Sequence, residues 1–339
     1  MVGPLLVAGV EVPPGLRRDI TPLASESYTG DRTTIPMAVL HGAEPGPRVF
    51  VTAAIHGDEL IGIAVCQELL ALLDPAEMCG TVIVVPIVNV LGAQIHSRYL
   101  PDRRDLNRSF PGSHGGSMAS RVARLLMDEV VSGSDVGIDL HTAANRRTNV
   151  PQLRVDASDP RARELARAFA PPYVLDASLR PGSLREVAGA AGVSVLTYEA
   201  GEALRFDEEA ITVARDGTLR VLAHLGVVER APVATAPPVE MHESRWVRAE
   251  RGGILDVHVG PGEPVVEGQA LWTTTSPLGE ERATVTSPYT GVVIGATTLP
   301  LVSPGEAIVH VGILGEDRPS LEDDPSAEED QDEEPEQLS

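Results

Sequence analysis

The chain has 339 residues, 42% of them hydrophobic and 22% charged, enough for a packed core and two or three domains. All 27 basic residues are arginine, so chemistry borne on lysine is excluded: Schiff bases, a pyridoxal phosphate anchor, a Walker lysine, and biotinyl or lipoyl attachment. A net charge of −22, with no basic cluster to neutralise phosphates, argues against a nucleic-acid partner.

In chain order, residues 48–55 (RVFVTAAI) read as a buried strand. HGDE follows, and residues 60–73 read as an apolar-rich helix ended by Asp74-Pro75, since a residue before proline avoids the helical region. Residues 81–88 form a second strand, and 91–117, rich in arginine, glycine and proline, read as loop. Val122, Leu125, Leu126 and Val130 have helical spacing within 118–131. VGIDLH (136–141) is a third strand, and Ser158-Asp159-Pro160 supplies cap and first-turn proline for a helix to Phe169. A loop and helix bearing Arg180 and Arg185 precede a fourth strand at 193–199, and a helix spans 207–224. The alternation predicts an α/β domain over 1–229, its mixed, mainly parallel sheet flanked by helices.

Residues 230–239 (RAPVATAPPV) read as a Pro/Ala linker. Residues 240–314 show short apolar runs punctuated by glycine and a weak repeat: Gly253 leads to Gly268 after fifteen residues, Gly291 to Gly305 after fourteen. This predicts a small all-β barrel-sandwich. Its SPYTGVV segment resembles biotinyl/lipoyl half-barrels, but the absence of lysine excludes a carrier role. Covering an active-site mouth, or self-association into a homo-oligomer through edge strands, remains. His258, His310, Trp246 and Trp272 there read as packing, surface or interface residues. Residues 316–339 carry twelve acids and one arginine, so 315–339 is expected to be a disordered acidic tail. Cys66 and Cys79 imply no disulfide framework. Without a run of about 18 apolar residues, or a basic region before the first apolar stretch, the expectation is a cytoplasmic protein with no membrane partner.

Two segments end strands with histidine. In HGDE, His56 follows a buried strand and Glu59 is expected on the first turn of the next helix, three residues on and on the same face. The pair reads as metal ligands or as a helix cap beside a partly buried histidine. In DLH, His141 ends the third strand, with Asp139 on its face; it reads as a third ligand, oriented by Asp139, or as a satisfied strand-end histidine. Strand carboxyl ends are where ligands bind in such sheets. Two histidines, a glutamate and an open position make the ligand set of catalytic zinc. Arg98-Tyr99 and Asp105-Leu106-Asn107-Arg108 place guanidinium and amide groups suited to a carboxylate; Arg103 and Arg104 read as local salt-bridge partners of Asp102 and Asp105. Glu199, ending an apolar strand in TYEAGE, is costly there unless paired or functional. Near a metal it suits proton transfer from water to a leaving amine, with Glu202 the other candidate base.

HGDE, RY(x)7NR with DLNRSFPG, DLH and TYEAGE together resemble, in order, the succinylglutamate desuccinylase/aspartoacylase family of the zinc carboxypeptidase-like superfamily. The resemblance covers about 35–225, and 240–314 resembles the barrel-sandwich domain of bacterial members. It implies one zinc held by His56, Glu59 and His141, Glu199 as general acid/base, Arg98 as oxyanion stabiliser, and Asn107 and Arg108 as binders of the substrate carboxylate, with Arg180 and Arg185 as candidates for the family's further substrate-specific positions. The implied function is a zinc-dependent hydrolase of an amide bond in a small N-acylated amino acid. A metallocarboxypeptidase trimming a peptide or modified protein C-terminus is the alternative within the class. A catalytically silent metal-binding scaffold is the alternative from another class.

Overall fold

The computed structural model describes residues 2–26 and 28–314; the expected acidic tail 315–339 lies outside the described residues. Strands apolar at nearly every position offer no polar face, so both their faces must be covered. Four strands with buried apolar stretches of this kind form the centre: Cys79–Val85, Glu44–Ala53, Val136–His141 and Ser194–Glu202, adjacent in that order and all parallel. Helices Ile61–Leu72, Pro160–Phe169 and Glu208–His224 pack on one face around Val51, Ile138, Leu140 and Leu196. Helices Met118–Leu126 and Leu184–Ala190 pack on the other around Phe50, Ile83 and Val195.

The sheet is mixed, as expected, with further parallel pairing among the described residues only where Tyr173–Asp176 joins Arg147–Val155 and Val239–Met241. Met37–His41 and Leu16–Ile20 add antiparallel strands at one side, and Arg147–Val155 runs antiparallel beside Ser194–Glu202. The last follows from chain length. Only residues 142–146 separate it from Val136–His141, whereas a parallel return takes a dozen or more residues. Sequence periodicity locates the Pro160–Phe169 helix, whose Asp159 side chain accepts from the Arg161 N–H at 2.8 Å. It does not locate the short helix Val90–Gln94 or the 3₁₀ turn Leu106–Arg108 inside the expected loop, nor the wide π turn Met127–Val131 that ends the helix from Met118.

The β-rich C-terminal region continues the same sheet. Gly291–Thr297 pairs antiparallel with Arg147–Val155, and Ala307–Ile313 and Glu243–Arg248 follow outward. Val239–Met241, at the end of the expected linker, pairs with Tyr173–Asp176. A second, four-stranded sheet of Glu281–Thr286, Ala270–Thr275, Gly253–Val257 and Leu301–Val302 packs over this extension around Leu271, Trp272, Val293 and Val309. No helix among the described residues is long and apolar enough to cross a membrane.

Gly137 sits directly opposite Phe50 in the central pair, and a Cβ there would lie 2.1 Å from Phe50 Cζ. Gly137→Val is expected to overpack this layer and cost about 1–3 kcal/mol. The readout is a lower urea midpoint with an unchanged m-value.

Candidate active site

The carboxyl ends of Glu44–Ala53 and Val136–His141 lie side by side. Past the first, the chain makes a tight turn in which the Glu59 N–H donates to the His56 carbonyl at 3.2 Å. Glu59 therefore lies in the turn and not on the helix, which starts at Ile61. The turn itself brings residues three apart together, so no helical spacing is needed. Gly57 lets the turn press against the next segment, since a Cβ there would stand 2.1 Å from the Gly92 carbonyl carbon.

Glu59 joins the two histidines. Its Oε1 is 2.6 Å from His56 Nδ1 and its Oε2 is 2.6 Å from His141 Nδ1, and all three side chains are buried. Each ring also meets a carboxylate on its far side. His141 Nε2 is 2.8 Å from Asp139 Oδ2, and Asp139 Oδ1 accepts from Thr52 Oγ1 at 2.7 Å. His56 Nε2 is 3.3 Å from Asp105 Oδ1. Burial alone would raise the Glu59 pKa, but the imidazoles of His56 and His141 hold it well below the usual carboxylate range. Burial alone would lower that of His141, but Asp139 and Glu59 raise it well above the usual histidine value.

The donor set fits a divalent cation. One ligand atom from each of the three residues falls within 4.8 Å of the others. A neutral His141 that donates from Nε2 to Asp139 turns an Nδ1 lone pair toward Glu59. That arrangement is repulsive unless a proton or a metal ion lies between.

Asp105 ties the arginine loop to this centre. Its Oδ2 accepts from Arg98 Nη2 at 3.1 Å and its Oδ1 from the Asn107 N–H at 2.7 Å. Arg98 is buried, and its Nη1 donates to Glu59 Oε1 at 3.3 Å. Its carbonyl accepts from Nδ2 of buried Asn89, which caps the helix Val90–Gln94. Asp105 is thus spent on Arg98 and His56 rather than on Arg103 or Arg104. Asn107 Oδ1 accepts from the Leu184 N–H at 2.9 Å, and exposed Arg108 donates to the Asn107 carbonyl at 2.8 Å. Glu199 is held from the neighbouring strand: Asn149 Nδ2 donates to its Oε2 at 2.9 Å, and Arg154 Nη2 lies 3.2 Å from the same oxygen.

All seven predicted site residues line one cleft of about 850 Å³ including its open mouth. Glu202 is not among its lining residues; it pairs with Arg205 and accepts from Thr298.

A family model for the succinylglutamate desuccinylase/aspartoacylase catalytic domain matches residues 45–225. The chain belongs to this family. An N-alpha-acetyl-L-2,4-diaminobutyric acid deacetylase from Halomonas elongata is 31% identical over 265 residues, 74% of this chain and 76% of the relative. The crystal structure of a succinylglutamate desuccinylase/aspartoacylase from Rhodobacter sphaeroides has a TM-score of 0.79 at 26% identity, covering 87% of this chain and 95% of that one. The product-bound ectoine utilization protein EutE (DoeB) from Ruegeria pomeroyi shares the fold, with a TM-score of 0.79 at 23% identity over 88% of this chain and 95% of that one. Both structural likenesses extend beyond the stretch matched by the family model.

In this family member the cleft recruits residues that the sequence reading passed over. Arg147, Asn149 and Arg154 come from a strand that went unrecognised because proline interrupts its alternation at Pro151. Trp246, expected in packing or at an interface, also lines the cleft, and it comes from the β-rich region. Its indole stacks on His310, with ring centroids 4.5 Å apart, and Arg147 lies 4.8 Å over the ring. Trp272 is fully buried in the core and His258 is exposed, as expected.

Asp139→Asn removes the carboxylate that orients His141. The expected outcome is divalent-metal affinity weaker by about 10–100-fold, measured by competition with a chromogenic chelator.

Proposed function

We propose that the protein is a zinc-dependent deacylase that hydrolyses the amide bond of a small N-acylated amino acid or related carboxylate. The observation that carries the reading is a single cleft holding a buried His-Glu-His cluster, a tethered glutamate and several guanidinium groups. The printed activity of the Halomonas relative supports it. His56, Glu59 and His141 would hold the metal. When bound, zinc lowers the pKa of water toward neutrality and polarises a carbonyl oxygen.

The chain's own residues perform the remaining work. Glu199 takes a proton from the attacking water and delivers it to the leaving nitrogen, so amide and water become a carboxylic acid and an amine. Asn149 and Arg154 hold that carboxylate at one oxygen, a tether that keeps it aimed. Arg98, fixed by Glu59 and Asp105, stabilises the charge that develops on the carbonyl oxygen. Asn107 and Arg108 bind the substrate's carboxylate and orient the scissile bond.

The reading keeps 1–229 as catalytic domain, 230–239 as linker and 240–314 as a barrel-sandwich that walls the cleft through Trp246. It also places the fold with the zinc carboxypeptidase-like enzymes. A cleft walled in this way supports a small substrate over the alternative of a protein tail.

The test is amine release from acetyl, formyl, succinyl and aspartyl amides by zinc-loaded protein, alongside metal analysis. Glu199→Ala is expected to lose about 10²–10⁴-fold in kcat. Arg98→Ala is expected to lose on the order of a hundredfold or more. Arg108→Lys keeps the charge but loses the fork, so a lower kcat/KM is expected. Metallated protein that turns over no amide or ester would favour the silent-scaffold reading.

A further inference from the structure

The strand Arg147–Val155 carries a β-bulge beside the strand that ends in the candidate acid/base. Asn149 pairs with Gly201 and Gln152 with Glu199, so three steps along one strand match two along the other. Past the bulge, Arg154 pairs with Thr197. Asn149, Gln152 and Arg154 therefore stand opposite alternate residues of the neighbour, on one face of the sheet. Leu153 and Val155 turn to the other face, into the helix-covered core with Leu196 and Tyr198. Without the bulge, Asn149 would share a face with Leu153. With it, three polar side chains of one strand gather around Glu199.

Two of the three are spent on the carboxylate. Asn149 Nδ2 donates to Glu199 Oε2 at 2.9 Å, and Arg154 Nη2 lies 3.2 Å from the same oxygen. The third, Gln152, is the residue directly opposite Glu199, where paired Cβ atoms stand about 4.5–5.5 Å apart. It is fully buried, and neither its Oε1 nor its Nε2 has a hydrogen-bond partner among the described residues. On its other side it pairs with Tyr173, which packs against the apolar cluster of Leu175, Met241 and Ile294. A buried amide without partners costs folding free energy that an apolar side chain of the same size does not. Across the strand pair, the polar neighbour in register with it is Glu199.

The chemistry of Glu199 sets what that neighbour requires. As a base it is a carboxylate, which only accepts hydrogen bonds; once it has taken the proton it is a carboxylic acid, which also donates one. Arg154 has donors alone, so it suits the first state and not the second. A glutamine amide donates and accepts, and so suits both. We infer that Gln152 is a positioning residue for Glu199: through one bridging water its amide holds the group in orientation both as carboxylate and as acid. The inference rests on the deacylase reading, in which Glu199 carries the proton, and deepens it.

Zinc-loaded full-length protein is assayed on whichever of the acetyl, formyl, succinyl and aspartyl amides the wild type turns over fastest. Gln152→Met and Gln152→Leu keep a side chain of similar size and remove the amide. Each is expected to lose about 10–100-fold in kcat, with KM within about twofold of wild type. The Tm, read by thermal unfolding, is expected to hold or rise, since the apolar side chain needs no partner. In a Glu199→Ala background, Gln152→Met is expected to change kcat by less than about twofold, because the residue it acts through is gone. A packing role would instead lower Tm and cost as much activity without Glu199 as with it. An unchanged kcat, a Tm lowered together with kcat in both variants, or an equal loss in the Glu199→Ala background would each overturn the inference and leave the deacylase reading intact. No turnover by the wild type, or a Glu199→Ala variant as active as the wild type, would overturn the deacylase reading and the inference with it.

Discussion

One carboxylate shared by two imidazoles organises this protein. Glu59 presents one oxygen to His56 and the other to His141 at 2.6 Å each, in a buried setting where an uncompensated charge would be costly. Asp139 and Asp105 stand behind the two rings, so each imidazole lies between carboxylates. Such a concentration of negative oxygen around two histidines is tolerable only with positive charge at the centre. A proton or a metal ion can supply that charge, and the pairing of the strands ending at Ala53 and His141 is what brings both rings to one carboxylate.

The rest of the cleft is built outward from that centre by short links. Asp105 connects His56, Arg98 and the Asn107 backbone, so the loop carrying the guanidinium groups is tied to the histidines. Asn149 and Arg154 do the same for Glu199 from the antiparallel strand next to it. That strand also pairs with Gly291–Thr297 of the β-rich region, at Arg147 and Asn149. The C-terminal region is therefore hydrogen-bonded to the strand that positions the candidate acid/base, and Trp246, in contact with His310 and Arg147, forms part of the wall. In a chain of net charge −22, six of the 27 arginines line this cleft.

Much of the fold was legible in the sequence because its signals are local. VGIDLH reads as a buried strand from its own residues, and Asp159-Pro160 opens a helix through its own capping bond. The order of His56, Glu59, Arg98, Asn107, Arg108, His141 and Glu199 could be read in the same way, since each sits in a short motif at a strand end or in the arginine loop. The total absence of lysine removed whole classes of chemistry by composition alone.

Tertiary structure decided what depends on pairing between distant segments. Asp105 looks like a partner for its neighbours Arg103 and Arg104, and only the fold turns it toward Arg98 and His56. Arg147–Val155 carries a proline and polar residues facing the cleft, so its alternation is weak and its strand character comes from the neighbours it pairs with. Trp246 reads as an ordinary apolar residue until register sets it opposite His310, and the fold brings Arg147 over its ring. The sequence by itself determined which residue types were available and how each segment would curl or extend. Which distant side chains share one small volume, and so shift one another's charge, was decided by the packing of the sheet, because electrostatic coupling depends on distance in space and not along the chain.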